Sequence, residues 1–266
     1  MFKVALYLLI AVILAIFLLP FFYTVSPYQL DSSKILQAPS LEHLFGTDRL
    51  GRDMLARILE GGQTSLIIGF LAASISSIVG LFIGINAGYF KGNIDKSITI
   101  TIDLFLTFPT FFLLLALVSY IQASAVILII VISITGWMGM ARMIRSESFA
   151  IGNKPFIKIL KVANVSTFKI IFKYFAPLLA PIFLISFTFG VGGSILAESG
   201  LSFLGLGVNP PSMSWGSLLS DGKAVIDIAW WVSFFPGLMI FLITFCLIQI
   251  SDYLQGLANK KEIIQN

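Results

Sequence analysis

Six runs of about twenty predominantly apolar residues recur along this 266-residue chain, each long enough to cross roughly 30 Å of hydrocarbon at about 1.5 Å per residue. They lie near 4–23, 65–87, 97–120, 123–143, 177–197 and 230–254. Lipid offers no water to an unpaired backbone amide, so such runs must close their hydrogen bonds internally as helices. The period-two alternation of a membrane β-barrel is absent. Composition agrees: 58% hydrophobic and 11% charged residues lie outside the range of a soluble domain. The expectation is an all-α membrane protein with six transmembrane helices in one domain over 1–266, without solenoid-length repeats.

The first run follows Met-Phe-Lys, exceeds the apolar core of a signal peptide and is followed by no small-x-small cleavage pattern. It reads as a retained signal anchor. Of the seventeen Lys and Arg, five (Lys34, Arg49, Arg52, Arg57 and Lys223) fall on one side of the six spans and the other twelve on the opposite side. The positive-inside rule then places both termini in the cytoplasm, segments 24–64 and 198–229 outside, and loop 145–176 inside. A basic inner face suits anionic headgroups and an acidic protein partner. It gives no case for nucleic acid. The single Cys246 lies in the last span and forms no intrachain disulfide.

Three polar stretches interrupt the apolar pattern. In HLFGTDRLGRDMLARILEGG (43–62), Thr47 or Asp48 can cap a helix on which Leu50, Met54 and Ile58 share a face, with Gly61-Gly62 loosening its far end. Asp48 with Arg52 and Asp53 with Arg57 stand at i, i+4, acid first. In loop 145–176, Phe156, Ile159 and Leu160 share a face with Ala163, Lys154, Lys158 and Lys161 spread over the remainder, Asn164 tolerates a left-handed turn, and Ser166 or Thr167 can cap a second helix. That ridge fits a cytosolic partner or the inner membrane surface equally. In 202–219, Pro210-Pro211 stiffens the backbone, Gly205 and Gly207 stand close together, and Trp215 suits the headgroup boundary. A fixed collar and an ordinary interfacial loop both accommodate it.

Within the spans, Asp103 must face protein or water, because an unpaired carboxylate at mid-membrane costs roughly 2.5–3.5 kcal/mol; pairing with a basic group on a partner chain or a neighbouring loop is the simplest arrangement. Glu198, at the outer end of the fifth span, is expected to reach water, and the lone His43 to sit on the surface. Met138, Met140 and Met143 read as packing residues. No metal cluster, catalytic nucleophile or phosphate-binding Gly-x-x-x-x-Gly-Lys-Ser/Thr loop is present in the sequence. An ion-gradient transporter or channel is the alternative class. It usually needs several ionisable groups deep in the spans, and Asp103 is the one clear case.

HLFGTDRLGRDMLARILEGGQTSL (43–66), DLFLTFPTFFLLLAL (103–117), GWMGMARMIRSE (136–147) and ILAESGLSFLGLGVNPPSMSWGSLLSDG (195–222) together resemble the second inner-membrane permease of bacterial ABC importers for oligopeptides, dipeptides and nickel. The resemblance covers nearly the whole chain. It implies a type I importer permease fold, a second permease as heterodimer partner, two ATPase subunits that bind ATP-Mg, an extracytoplasmic substrate-binding protein, and an inner-membrane location. This chain would be no enzyme and would hold no cofactor or metal. Loop 145–176 would carry the coupling helix, with Phe156, Lys158, Ile159, Leu160, Asn164 and Ser166 as its residues. Lys158-Ile159-Leu160 stand where the family has Glu-Ala-Ala, and Asn164 where it has Gly. The external mouth would lie at GTDRLGRD, with Asp48, Arg49, Arg52 and Trp215 as docking candidates for the binding protein and Asp53 and Arg57 as braces.

Overall fold

The computed structural model describes residues 2–121 and 123–265, with side chains as far as 258; Lys260 and Lys261 of the basic tally lie beyond those side chains. Ten α-helices follow in order: α1 (Phe2–Leu18), α2 (Met54–Phe90), α3 (Gly92–Leu106), α4 (Thr110–Val118), α5 (Ala125–Gly152), α6 (Pro155–Val162), α7 (Thr167–Ile170), α8 (Ala176–Phe203), α9 (Trp215–Lys223) and α10 (Trp231–Gln265). A π turn, Ile171–Phe175, joins α7 to α8 without a break in the helical path. Five helical stretches are long and apolar enough to cross a membrane; α3 and α4 make a sixth only as a bent pair, 79° apart. The expected span at 97–120 is therefore broken. Pro109 supplies no amide hydrogen, caps α4, and disfavours a helical conformation at Phe108, so the helix stops and restarts.

α2 is the axis of the bundle. Its 37 residues reach about 55 Å, and it packs along α5 through Gly80, Gly84 and Gly88. A Cβ on Gly80 would stand 2.6 Å from Met140 Cβ, and one on Gly84 2.7 Å from the carbonyl oxygen of Ala141. Small residues four apart thus let two backbones approach closely, as membrane helices do when dispersion replaces the hydrophobic effect. α8 and α10 close the bundle, and α1 lies against α10 and α2.

Each end has its own core. At the end carrying segments 22–53 and 204–230, Met54, Ile58, Trp215, Leu218 and Trp231 form one cluster. At the opposite end, Ile85, Ile144, Ile151, Ile157, Ile170 and Phe175 form another beneath α6. The two ends are called the loop end and the α6 end below.

Candidate functional site

At the loop end the expected helix over 47–61 is not what forms. Residues 46–53 make a compact turn closed by the Thr47–Asp53 bridge, and α2 begins at Met54, capped by Asp53, whose Oδ1 accepts the Ala56 amide at 2.8 Å. Leu50 stands outside the helix and exposed. Gly61-Gly62 loosens nothing: α2 runs straight through it, and a Cβ on Gly62 would stand 2.8 Å from the Trp215 ring. These glycines are smooth floor for α9.

The charges in this turn are interior. Asp48, 2% exposed, accepts from the Leu50 and Arg52 amides at 2.8 and 2.9 Å and from Arg52 Nε at 2.7 Å, and it pairs with buried Arg57. Burial alone would raise the Asp48 carboxyl, yet Arg57 beside it and the two amides hold it below the ordinary carboxylate range. The predicted Asp53–Arg57 pair does not form. Asp53 Oδ2 instead accepts from Tyr23 at 3.0 Å and contacts His43 Nδ1 at 2.8 Å. Burial, then the Asp53 charge, pushes the Tyr23 phenol up to about 12. Arg57 reaches Asp221 at 3.2 Å, across 164 residues, and Arg49 and Arg52 approach the same carboxylate at 3.6 and 3.9 Å.

Four expectations are corrected here. Asp48 faces no docking partner, because it is enclosed by its own ion pairs. His43 is no surface residue; it is 8% exposed and held against Asp53. Trp215 does not lie at a headgroup boundary; it is 0% exposed and its indole N–H donates to the Ile58 carbonyl at 3.0 Å. Glu198 does not reach water: also 0% exposed, it accepts hydroxyls from Ser65 at 3.1 Å, Ser199 at 3.4 Å and Ser202 at 2.6 Å. Ser65 in turn accepts the Trp215 amide at 3.1 Å, and Ser202 the Ser214 hydroxyl at 3.3 Å. This hydroxyl network pins the start of α9 to α2 and α8. The Arg57–Asp221, Ser65–Glu198 and Trp215–Ile58 contacts carried no local sequence signal, since they join residues 133 to 164 positions apart. Of the docking candidates, Arg49 is exposed and Arg52 half-buried.

At the α6 end the predicted helix–turn–helix forms. Pro155 sits in the first turn of α6, where its missing N–H costs nothing. Asn164 takes φ 53°, the Val165 amide donates to the Leu160 carbonyl at 3.1 Å and the Asn164 amide to Lys161 at 3.1 Å. That is the Schellman closure, with Asn in the place glycine usually fills. Ser166 caps α7, accepting the Lys169 amide. The ridge is rotated from its expected face. Ile157 is fully buried and Leu160 half-buried against the core, whereas Phe156, Ile159 and Val162 are exposed, the last two by 66% and 84%. Lys158 is exposed. α6 is tied to α2 by Lys161 over the Tyr89 ring at 4.1 Å, and the helices beside it are tied to one another by Arg145 paired with Asp95 and by Lys91 bonded to Asn153 at 2.7 Å. Asp103 pairs with Arg142 at 2.5 Å on a half-exposed surface; that arginine belongs to α5 of the same chain, not to a neighbouring loop or a partner chain as expected.

Between the two ends α2, α4, α5, α8 and α10 line an open cavity of about 550 Å³. Ser76, Thr135, Ser186 and Ser251 contribute hydroxyls, Met140 and Met143 thioethers, and Asp252 a carboxylate. Met138 is buried elsewhere, so the methionine cluster divides between core and cavity. Among the described residues no group of three His, Cys, Asp or Glu side chains is placed to hold a metal ion.

Residues 80–261 match the family model for binding-protein-dependent transport system inner membrane components. The chain is 34% identical over 260 residues, 97% of its length and 84% of the relative's, to the oligopeptide transport system permease protein OppC of Haemophilus influenzae. It is 36% identical over 251 residues, 94% of its length and 82% of the relative's, to the dipeptide transport system permease protein DppC of Alkalihalophilus pseudofirmus. A solved inward-facing structure of the MetNI methionine ABC transporter superposes with a TM-score of 0.60 at 14% identity, covering 76% of this chain and 97% of that one. At that identity the likeness establishes the fold alone.

Proposed function

The chain belongs to the family of binding-protein-dependent transport system inner membrane components, as a permease subunit of an ABC importer, and on that premise we propose that it forms half of a translocation path for di- and oligopeptides. The observation that carries the reading is the open cavity, lined by small and hydroxyl-bearing residues and flanked by a braced loop end and a protruding α6. A path must bind cargo weakly enough to release it, and a wall of apolar and small residues, with hydroxyls of which Ser76, Thr135, Ser186 and Ser251 are bonded internally, does so. Ser251 and Thr135 both spend their hydroxyls on helix carbonyls.

In this proposal a second permease lines the other half of the cavity, and two ATPase subunits, which bind ATP-Mg, supply the energy. α6 docks on one of them through Phe156, Ile159 and Val162. Lys158, exposed beside that ridge, calls for an acidic residue on the ATPase where the family pattern has the charges reversed. Both termini and α6 lie in the cytoplasm, following the distribution of Lys and Arg. The loop end faces outward, where an extracytoplasmic binding protein docks on exposed Arg49 and its neighbours. The names of the relatives support peptides as cargo.

Uptake of labelled tripeptides and of nickel in cells lacking this chain, with and without its restoration, tests the reading. Peptide uptake should fall to background and return with the chain. Loss of nickel uptake alone would replace the peptide assignment.

A further inference from the structure

Every polar side chain on the cavity wall but two is a hydroxyl. The exceptions are Gln255 and Asp252, one turn apart on α10, and Asp252 is the one charged residue among the described residues that line it. No Lys, Arg or His of the described residues pairs with it, whereas Asp95 and Asp103 near that end are each held by an arginine; Glu147, also without an ion pair, lies outside the cavity lining. The hydroxyls around it are already committed: Ser251 donates to the Ile185 carbonyl at 3.1 Å and Ser186 to Met143 sulfur at 3.4 Å. The side chain of Asp252 is exposed to the cavity mouth. It stands 21 residues into α10, about 32 Å along the axis, towards the α6 end.

We propose that Asp252 is a charge-selecting residue at the inner mouth of the path, speeding the passage of peptides that carry positive side chains and slowing that of acidic ones. The inference deepens the peptide reading and rests on it. A fixed carboxylate raises the local concentration of cations and repels anions, the device by which acidic rings favour cations in channels. With water between them, a unit charge at ~6 Å changes the relative rate about threefold, and more as the mouth is desolvated.

The test uses the complete transporter in proteoliposomes, with saturating binding protein and ATP, and measures turnover of Ala-Lys-Ala, Ala-Ala-Ala and Ala-Glu-Ala. For the unaltered chain the Lys-to-Glu peptide ratio should exceed that of Asp252→Asn by about tenfold, a threefold gain for the cation combined with a threefold loss for the anion, with turnover of the neutral peptide retained. Asp252→Glu should keep the original ratio. Asp252→Ser provides the same comparison should the asparagine variant fail to assemble. An unchanged ratio in either neutral variant, with the neutral peptide still transported, overturns the inference and leaves the peptide reading intact. Failure of the unaltered transporter to move any of the three overturns the peptide reading, and the inference with it.

Discussion

Asp48, Arg57 and Asp221 show what a buried charge needs. Arg57 is 4% exposed, and its desolvation is offset because two carboxylates and a tight turn surround it. Without Arg57, buried Asp48 keeps Arg52 and two amides but loses its buried counter-charge, so Arg57→Ala should destabilise the protein by about 3 kcal/mol, the low end for a broken buried pair. The Arg57→Met, Asp48→Leu double variant should lose less than the sum of its parts, measured by unfolding of the purified complex in detergent. Acid acts on the same pair. The folded Asp48 carboxyl is depressed, so its contribution is fully present above the unfolded value of about 3.9 and disappears as pH falls through the lower folded one. Thermal stability should therefore drop below about pH 4, and Asp48→Asn should flatten that limb while lowering stability at neutral pH. Glu198 differs, having hydroxyls in place of a cation. Glu198→Ala would orphan Ser65, Ser199 and Ser202 and should cost about 3 kcal/mol.

α6 and α9 are short helices with opposite fates. α9 is swallowed: its Trp215 fills the space over Gly62, so Gly62→Leu should displace the ring and loosen α9 without disturbing α6, seen as faster proteolysis or hydrogen exchange confined to 204–230. α6 protrudes. Its inner face is Ile157 with Leu160, its outer face Phe156, Ile159 and Val162. Ile159→Asp should leave the protein in the membrane and uncouple ATP hydrolysis from uptake, whereas Leu160→Asp should lower the folded yield because it places a charge against the core. Normal coupled uptake by Ile159→Asp would remove the assigned face. A charge-swap cycle between Lys158 and an acidic ATPase residue measures how desolvated that rim contact is, from about 0–1 kcal/mol at an exposed edge to several when buried.

For the molecule as a whole, the bundle has one long axis, a different hydrophobic cluster at each end and a cavity between them, so the loop end and the α6 end can be altered independently. Its orientation in the membrane is open to direct measurement. Cys246 is buried and silent to reagent. Cysteine placed at exposed Ser40 or Ser212 should react with a membrane-impermeant thiol reagent in intact cells, and cysteine at exposed Lys154 should react only after permeabilisation. The reverse pattern would invert the orientation derived from Lys and Arg.

The sequence by itself determined whatever is written in neighbouring residues. Apolar runs of membrane-crossing length yield the spans, Asn164 and Ser166 the turn and cap beyond α6, and the irregular 43–66 and 195–222 stretches the family. Tertiary structure decided which groups are inside. Glu198 and Trp215 read as surface residues because Ser65 and Ile58, which meet them, lie 133 and 157 residues away; Asp48 and His43 have partners within ten residues, but only the folding of 43–57 into a closed turn buries those pairs. The face of α6 was misassigned for the same reason: periodicity identifies an apolar stripe, but only the packing of Ile157 against Phe175 and Ile170 fixes which side of it is covered. Asp252 is the converse. In sequence it is one carboxylate at the end of a span, and it acquires meaning only when five helices leave it as the single charge among the described residues that line the cavity.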